Sequence, residues 1–84
     1  MDYVYLLVSL KDKKRIYIGR TKDLKQRLGE HNQGKSAYTR TYLPWKLEAY
    51  IAFSKSHLAV KFEKYLKQGS GFAFLKKRFL PNSL

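Results

Sequence analysis

The stretch Arg15–His31, RIYIGRTKDLKQRLGEH, predicts a strand, a glycine turn and a helix in immediate succession. Ile16–Ile18 is a short run of β-branched and aromatic residues, which is typical of a strand, and the glycine after it interrupts that run. Thr21 is a good helix N-cap and opens a helical pattern. Leu24 and Leu28, four residues apart, then form an apolar stripe on one helix face.

Three polar side chains of this stretch are expected to meet at one edge of the sheet. Arg27 and His31 are four residues apart and lie beside the leucine stripe, so the helix directs both toward the strand that carries Tyr17. A phenol, a guanidinium and an imidazole together suit phosphate chemistry, since arginine binds two phosphate oxygens at once and histidine titrates near neutrality. The alternatives are a solvated surface arginine and a histidine that complements the helix dipole.

The rest of the chain predicts two more strands and two more helices. Over the whole chain, the predicted strands are Tyr3–Leu10, Arg15–Gly19 and Trp45–Phe53. The predicted helices run from Thr21 to about Gly34, from Ser54 or Ser56 to about Gln68, and over Phe72–Phe79, where Pro81 ends the last one. Lys35–Pro44 is predicted as a loop, and Gly69–Gly71 as a break between the last two helices. The order ββαβαα indicates an α+β fold with a small, mainly antiparallel sheet flanked by helices.

Strand alternation assigns the side chains to two faces of this sheet. One face is expected to carry Val4, Leu6, Val8, Ile16 and Ile18. The other is expected to carry Tyr3, Tyr5, Leu7 and Tyr17, so that Tyr5 and Tyr17 are neighbours. Each tyrosine has an alternative role in packing, with its hydroxyl at the rim of the core. The predicted helical core residues are Leu58, Phe62, Tyr65, Leu66, Phe72, Leu75 and Phe79, and Phe53 and Phe74 are also expected in the core.

The charge balance points to a polyanionic partner. Eighteen Lys and Arg face six acids in 84 residues, giving a net charge of +12, and the basic residues are spread over the whole chain. Such a balance favours nucleic acid, whereas a membrane-surface protein would need a basic amphipathic helix. No cysteine is present, which excludes disulfides and thiolate metal sites. No signal peptide or apolar membrane span is evident, so we expect a single cytoplasmic domain over residues 1–84.

The six acids differ in how easily their positions are explained. Asp2 is terminal, Asp12 lies in a turn, Asp23 complements the helix dipole, and Glu30 lies opposite the leucine stripe, where it is expected to be solvated. Glu48 and Glu63 remain, and Glu63 falls at the edge of the apolar stripe of its helix. It suits either an ion pair with Lys67 or the carboxylate anchor of a hydrated Mg²⁺, which needs only one or two carboxylates plus substrate phosphate.

These residues together resemble the GIY-YIG nuclease superfamily. Tyr3-Val4-Tyr5 stands at the first motif and Tyr17-Ile18-Gly19 at the second, while Arg27, His31 and Glu63 match later motif positions. The resemblance covers essentially the whole chain and is greatest to the small single-domain, endonuclease-like branch, similar to the N-terminal nuclease domain of the excision-repair subunit UvrC. In one departure from the superfamily pattern, Tyr3 replaces the glycine of the first motif, as it does within this branch.

The resemblance implies a three-stranded antiparallel sheet flanked by helices and a metal-dependent endonuclease that hydrolyses DNA in repair, recombination or DNA processing. By the same resemblance, Glu63 binds Mg²⁺ or Mn²⁺, Arg27 stabilises the phosphate, Tyr17 takes a proton from the attacking water, and Tyr5 and His31 orient that water or share the proton. The residues expected to hold the flanking nucleic-acid backbone are Arg20, Lys35, Arg40, Lys76, Lys77 and Arg78.

Two other classes of function fit the same composition. One is a catalytically inactive nucleic-acid-binding module, and the other is a basic ribosome-associated structural protein in which the tyrosines only pack. A nuclease of 84 residues has little surface for sequence readout, so selectivity is expected to need a protein partner or a dimer.

Overall fold

The computed structural model describes residues 1–80, in which three strands form an antiparallel sheet with β1 at its centre. β1 spans Asp2–Ser9 and lies between β2 (Ile16–Thr21) and β3 (Trp45–Phe53). β1 is buried along almost its whole length, as its nearly continuous apolar sequence predicts for a central strand. The predicted α+β fold, a three-stranded antiparallel sheet flanked by helices, is therefore confirmed.

Helices cover both faces of the sheet and create two apolar cores. The helices are α1 (Leu24–Asn32), α2 (Ala37–Arg40), α3 (Ser56–Leu66) and α4 (Gly69–Phe79). The core under α3 and α4 contains Val4, Leu6, Val8, Ile18, Ala59, Leu66, Leu75 and Leu80. The core under α1 and α2 contains Tyr5, Leu7 and Trp45, with Tyr17, Leu24 and Leu28 packed against it. The two predicted faces of the hairpin are thus confirmed.

The first helix begins later than the sequence predicts. Thr21 still belongs to β2, where it pairs with Tyr3 of β1, and Asp23 is the N-cap. The Asp23 carboxylate accepts a hydrogen bond from the backbone N–H of Gln26 at 3.0 Å, and the Thr21 hydroxyl accepts from the N–H of Asp23 at 3.1 Å. Strand pairing therefore extends β2 past its glycine, and the predicted N-cap at Thr21 is wrong.

The predicted loop before the third strand contains the helical turn α2. Its carbonyl at Thr39 accepts a hydrogen bond from the indole Nε1 of Trp45 at 2.7 Å. Asn32 at the end of α1 fixes the backbone of the same tryptophan with two hydrogen bonds, of 2.6 and 3.0 Å. These contacts with β3 and the end of α1 stabilise a turn that its own residues do not signal.

The predicted break between the last two helices is the first turn of α4, which starts at Gly69. Gly71 is buried against the carbonyl of Tyr65 in α3, and an added Cβ would overlap that oxygen. The glycine serves a close helix contact rather than a helix break. At the start of α3, Lys55 is the N-cap in place of the predicted serines. The prediction that Pro81 ends the last helix lies outside the described residues.

Three of the predicted core side chains are exposed: Leu58, Tyr65 and Phe74. α3 directs Ala59, Phe62 and Leu66 inward instead, and the ring centroids of Phe62 and Phe53 lie 5.6 Å apart. Among residues 1–80, no helix has the length and apolar content needed to cross a membrane.

Candidate active site

The site begins where the central strand and β2 pair. Tyr5 lies directly opposite Gly19, and its ring covers that glycine so closely that an added Cβ would overlap the phenol. The absence of a side chain at Gly19 therefore permits the position of the Tyr5 hydroxyl. Tyr5 is buried, and this burial raises its pKa to about 12, with the Arg27 guanidinium acting in the opposite direction. At neutral pH, Tyr5 is a protonated phenol.

A buried hydrogen-bond chain connects Tyr5 to α2 through His31. The Tyr5 hydroxyl lies 2.8 Å from His31 Nε2, and His31 Nδ1 lies 2.8 Å from Thr39 Oγ1. His31 and Thr39 are both fully buried. Burial lowers the pKa of His31, and the positive charge of Arg27 lowers it further, so the imidazole is neutral at pH 7. With both ring nitrogens occupied, His31 fixes the position of the Tyr5 hydroxyl.

Tyr17 and Arg27 form the outer part of this cluster. The Tyr17 ring centroid lies 4.8 Å from that of His31, and the Arg27 guanidinium lies beside both Tyr5 and Tyr17. Arg27 Nη1 donates to Glu30 Oε1 at 2.9 Å, which raises the pKa of Arg27 and lowers that of Glu30. The expectation that Glu30 is only solvated is wrong, because it holds Arg27 in place.

The structure thus brings together four of the predicted site residues: Tyr5, Tyr17, Arg27 and His31. Thr39, which completes the hydrogen-bond chain, was not identified from the sequence. It lies in the segment that the sequence predicts as a loop, and its burial and its contact with His31, which the sequence does not reveal, distinguish it from the neighbouring hydroxyl residues.

Glu63 lies on α3, in the layer on the opposite face of the sheet. Its carboxylate is 3.0 Å from Lys67 Nζ and 3.6 Å from Arg20 Nε, so the ion pair with Lys67 that the sequence suggests is present. After burial and the neighbouring Tyr17, the Glu63 charge makes a smaller contribution that also raises the pKa of Tyr5. Glu48, the other acid left unexplained by the sequence, lies on β3 with Lys46 at 3.9 Å.

Asp2 belongs to the same charged group, so its position at the terminus does not by itself account for it. Only 2% of Asp2 is exposed, and Arg20 Nη1 lies 3.9 Å from its carboxylate. Arg20, expected to contact nucleic acid, therefore lies between the carboxylates of Asp2 and Glu63. The signal for Asp2 was the two-residue strand period, which places it on the same face as Val4 and Leu6.

The donor set at Glu63 fits a hard divalent cation bound together with a substrate. The described residues contain no group of three or more His, Asp or Glu that could hold a metal ion without help. Mg²⁺, however, commonly uses one or two carboxylates and completes its shell with water and phosphate oxygens. The Glu63 carboxylate is an oxygen donor of this kind, and its side chain is partly exposed.

The remaining predicted nucleic-acid contacts are exposed and lie in two separate layers. Lys35 precedes α2 and Arg40 is its last residue, whereas Lys76, Lys77 and Arg78 lie in the last turn of α4. Between the layers, an open groove of about 450 Å³ follows the edge of β2. Its lining residues are Ile16, Tyr17, Ile18, Tyr38, Lys67 and Phe72.

Comparison with known proteins agrees with this geometry. The family model described as the GIY-YIG catalytic domain matches residues 1–77. The UPF0213 protein YsiG of Lactococcus lactis subsp. lactis is 46% identical over 67 residues, which are 79% of this chain and 64% of that protein. The UPF0213 protein SpyM3_1077 of Streptococcus pyogenes serotype M3 is 42% identical over 67 residues, covering 79% of this chain and 71% of that protein.

A solved structure extends the likeness to the fold. The solution NMR structure of the UPF0213 protein BH0048 from Bacillus halodurans superposes with a TM-score of 0.58 and 31% sequence identity. The match covers 99% of this chain and 92% of that one. The family model, the sequence relatives and the shared fold lead to one conclusion: the chain belongs to the GIY-YIG family, whose fold and catalytic domain carry a nuclease function.

Proposed function

We propose that this protein is a metal-dependent endonuclease that hydrolyses phosphodiester bonds in DNA. The observation that carries the proposal is the convergence of Tyr5, Tyr17, Arg27 and His31 at the β2 edge. An arginine beside two phenols and a neutral histidine suits a phosphate-binding site better than a structural core. The guanidinium can bind phosphate oxygens, and the phenols can transfer protons.

Within this proposal, Arg27 binds the scissile phosphate and stabilises the negative charge that grows on it during attack. Glu30 keeps the guanidinium in position, because its Oε1 accepts a hydrogen bond from Arg27 Nη1 at 2.9 Å. An interaction that strengthens as charge develops lowers the barrier more than it tightens binding of the substrate. Arg27 is therefore the residue whose loss should separate catalysis from affinity.

Tyr17, as its phenolate, takes a proton from the attacking water. The water oxygen bonds to phosphorus as the phosphorus–oxygen bond to the leaving strand breaks, and the leaving oxygen takes a proton from solvent. Tyr5 is less suited to this step, because its pKa is raised to about 12 and its hydroxyl is bound to His31. Tyr5 instead orients the water or the phosphate by donating its single O–H proton, which requires that His31 Nε2 donates to the Tyr5 oxygen and that His31 Nδ1 accepts from Thr39. His31 and Thr39 hold Tyr5 in that position.

Glu63 is the proposed ligand for Mg²⁺ or Mn²⁺, and the bound ion would supply Lewis-acid stabilisation of the phosphate and of the leaving oxygen. The flanking backbone would bind across the β2 edge, with Lys35 and Arg40 on one side and the basic end of α4 on the other. Because so small a surface reads little sequence, selectivity would come from a protein partner or a second copy of the chain. Repair, recombination and DNA processing are the settings that such an activity suits.

The experiment is a plasmid-nicking assay with purified protein, in the absence and presence of Mg²⁺ or Mn²⁺. Wild-type protein should nick supercoiled plasmid only with the metal, and Glu63→Gln should abolish nicking while retaining DNA affinity and thermal midpoint. Glu48→Gln is the matched control, because it makes the same charge change at a partly exposed position on the opposite edge strand.

The outcomes also discriminate between classes of function. Tight DNA binding without nicking under any metal condition would identify a binding module. Co-purification with ribosomes and no affinity for DNA would identify a ribosome-associated protein. Loss of nicking in Glu63→Gln together with a collapsed thermal midpoint would assign Glu63 a structural role instead.

A further inference from the structure

Asp2 is a buried carboxylate that lacks the hydrogen bonds that normally accompany burial. Both of its carboxylate oxygens are buried, and neither has a hydrogen-bond partner among the residues that the structure describes. An ionised carboxylate removed from water is costly unless it is paired or binds a metal. Its cationic neighbour is Arg20, at 3.9 Å, which is too long for a hydrogen bond.

Arg20 is shared between this carboxylate and that of Glu63. Its Nη1 faces Asp2 at 3.9 Å, and its Nε faces Glu63 at 3.6 Å, so a single guanidinium is held between two anions at distances longer than a hydrogen bond. Strand pairing fixes the arrangement: Arg20 lies on β2 opposite Val4, two residues after Asp2 on the same face of β1. A loosely bound monovalent cation between two carboxylates is a competitor that a divalent cation can displace.

We propose that Asp2 and Glu63 form a two-carboxylate site for one divalent cation, and that the Arg20 guanidinium occupies this site while the cation is absent. The inference rests on the proposed metal role of Glu63 and adds Asp2 and Arg20 to it. When the cation binds between the two carboxylates, it takes over the pairing of the buried Asp2, and the partly exposed Arg20 guanidinium moves aside toward solvent.

The proposal gives the two added residues opposite effects on metal affinity. Replacing Arg20 with Gln removes the competing charge, so the affinity for Mn²⁺ should rise about threefold to tenfold. Replacing Asp2 with Asn leaves Glu63 as the sole anion beside Arg20, which strengthens that ion pair, and the Mn²⁺ affinity should fall by a similar factor. Loss of any nearby charge acts in these same directions, so each variant is judged by its excess over a control variant with the same charge change.

The chain contains a matched control pair in Asp12 and Arg15. Their charged groups lie 3.6 Å apart in the exposed turn between β1 and β2. Asp12→Asn and Arg15→Gln change the net charge as the test variants do, so they measure the general effect of charge on Mn²⁺ binding. Both should change the affinity by less than the corresponding variant at Asp2 or Arg20.

The measurement is Mn²⁺ binding to the full chain without DNA, by isothermal titration calorimetry and by water-proton relaxation, with circular dichroism to verify folding. Tighter binding in Arg20→Gln and weaker binding in Asp2→Asn, each beyond its control, would support the proposal. Unchanged or tighter binding in Asp2→Asn would overturn it, as would weaker binding in Arg20→Gln. If Asp2→Asn does not fold, the result for Arg20→Gln decides, since Arg20 is partly exposed.

The same data separate this inference from the proposed function. If Glu63→Gln abolishes Mn²⁺ binding and nicking while the Asp2 and Arg20 variants behave like their controls, only the two-carboxylate site fails. If Glu63→Gln binds Mn²⁺ and nicks DNA like the wild type, the metal role of Glu63 fails, and with it the inference.

Discussion

Arg27 is the residue at which catalysis and binding should separate most clearly. It is one of eighteen Lys and Arg, so Arg27→Ala should weaken DNA binding only slightly. In the proposed mechanism Arg27, beside Tyr5 and Tyr17, contacts the charged transition state, so the nicking rate should fall about 10²–10³-fold. Single-turnover nicking and DNA titration on the same preparation measure the two effects.

Lys25→Ala is the matched control for this prediction, because Lys25 is exposed on the same helix. It removes one positive charge at a position away from Tyr5 and Tyr17. Small and equal losses in rate and affinity for both variants would show that Arg27 is an ordinary surface arginine.

His31 should make the stability of the protein depend on pH. Its pKa is lowered in the folded state, because it is buried and lies near Arg27, with Glu30 opposing. The unfolded chain therefore binds more protons than the folded one as the pH falls below about 6.5, and the free energy of unfolding should decrease there, by at most about 1.4 kcal/mol per pH unit. Urea unfolding at a series of pH values between neutral and mildly acidic conditions measures this slope.

The assignment to His31 is tested by comparing slopes rather than absolute stabilities. His31→Gln should flatten the pH dependence even if it lowers stability at every pH, since glutamine does not titrate. His57→Gln, at an exposed position in the first turn of α3, should retain the wild-type slope. A slope that survives in His31→Gln would assign the pH dependence to other groups.

At the scale of single residues, sequence periodicity predicted that the tyrosines, Arg27 and His31 lie together, but it did not reveal the residues that contact this cluster or Arg20. Tyr5 faces Tyr17 because strands alternate with a period of two, and Arg27 accompanies His31 because helices bring positions four apart together. Thr39 and Asp2 depend on how separate segments meet. The hydroxyl of Thr39 reaches His31 only after α2 has docked, and the burial of Asp2 follows from packing that its position in the chain does not reveal.

Among the elements, the contact between α3 and α4 is the most sensitive to a single methyl group. Gly71→Ala would place a Cβ into the carbonyl of Tyr65, which is backbone and cannot rotate away. The two helices would have to separate, and we expect a loss of about 1–3 kcal/mol in the free energy of unfolding. Chemical denaturation measures this loss.

Gly69→Ala is the control in the same helix turn, because an added Cβ there meets no atom within 4 Å. It should leave stability unchanged or raise it by up to about 1 kcal/mol, since alanine reduces the freedom of the unfolded chain. Equal effects at the two glycines would contradict the close contact at Gly71.

Strands were predictable from this sequence because their own residues determine them. β1 is apolar throughout and β3 alternates, and both appear at the expected positions, within one residue at each end. Helix limits depend on other parts of the chain. β2 extends to Thr21 because β1 offers it partners, α2 forms because Trp45 and Asn32 hold its end, and α4 begins early because Gly71 fits against α3.

The whole molecule places the cluster of two tyrosines, Arg27 and His31 and the proposed metal ligand in different layers. The cluster lies on the α1 side of the sheet, and Glu63 lies on the α3 side. The groove at the edge of β2 has lining residues from both layers, with Tyr17 and Tyr38 on one side and Lys67 and Phe72 on the other. Under the proposed function, a phosphate would approach both sets of groups at this edge, which strand pairing leaves open.

Binding of DNA should be governed by this charge distribution and should depend steeply on salt. If the basic residues on both sides of β2 neutralise about four to eight phosphates, the logarithm of the binding constant should fall with that of the salt concentration at a slope of about −3 to −7. Fluorescence anisotropy with labelled duplexes of unrelated sequence, over a range of salt concentrations, gives the slope. The affinities should be similar across sequences, because phosphate contacts carry no base readout.

A pair of single variants connects that slope to the proposed binding edge. Lys76 lies in the last turn of α4, 5.1 Å from the ring of Phe72 in the β2 groove, and Lys76→Gln should make the slope shallower by about 1. Lys46 is exposed on β3, the opposite edge of the sheet, and Lys46→Gln should leave the slope unchanged although it removes the same charge. If the two variants shift the slope equally, DNA binds by diffuse attraction over the entire surface. A slope near zero for the wild type would instead mean that phosphate neutralisation does not drive binding at all.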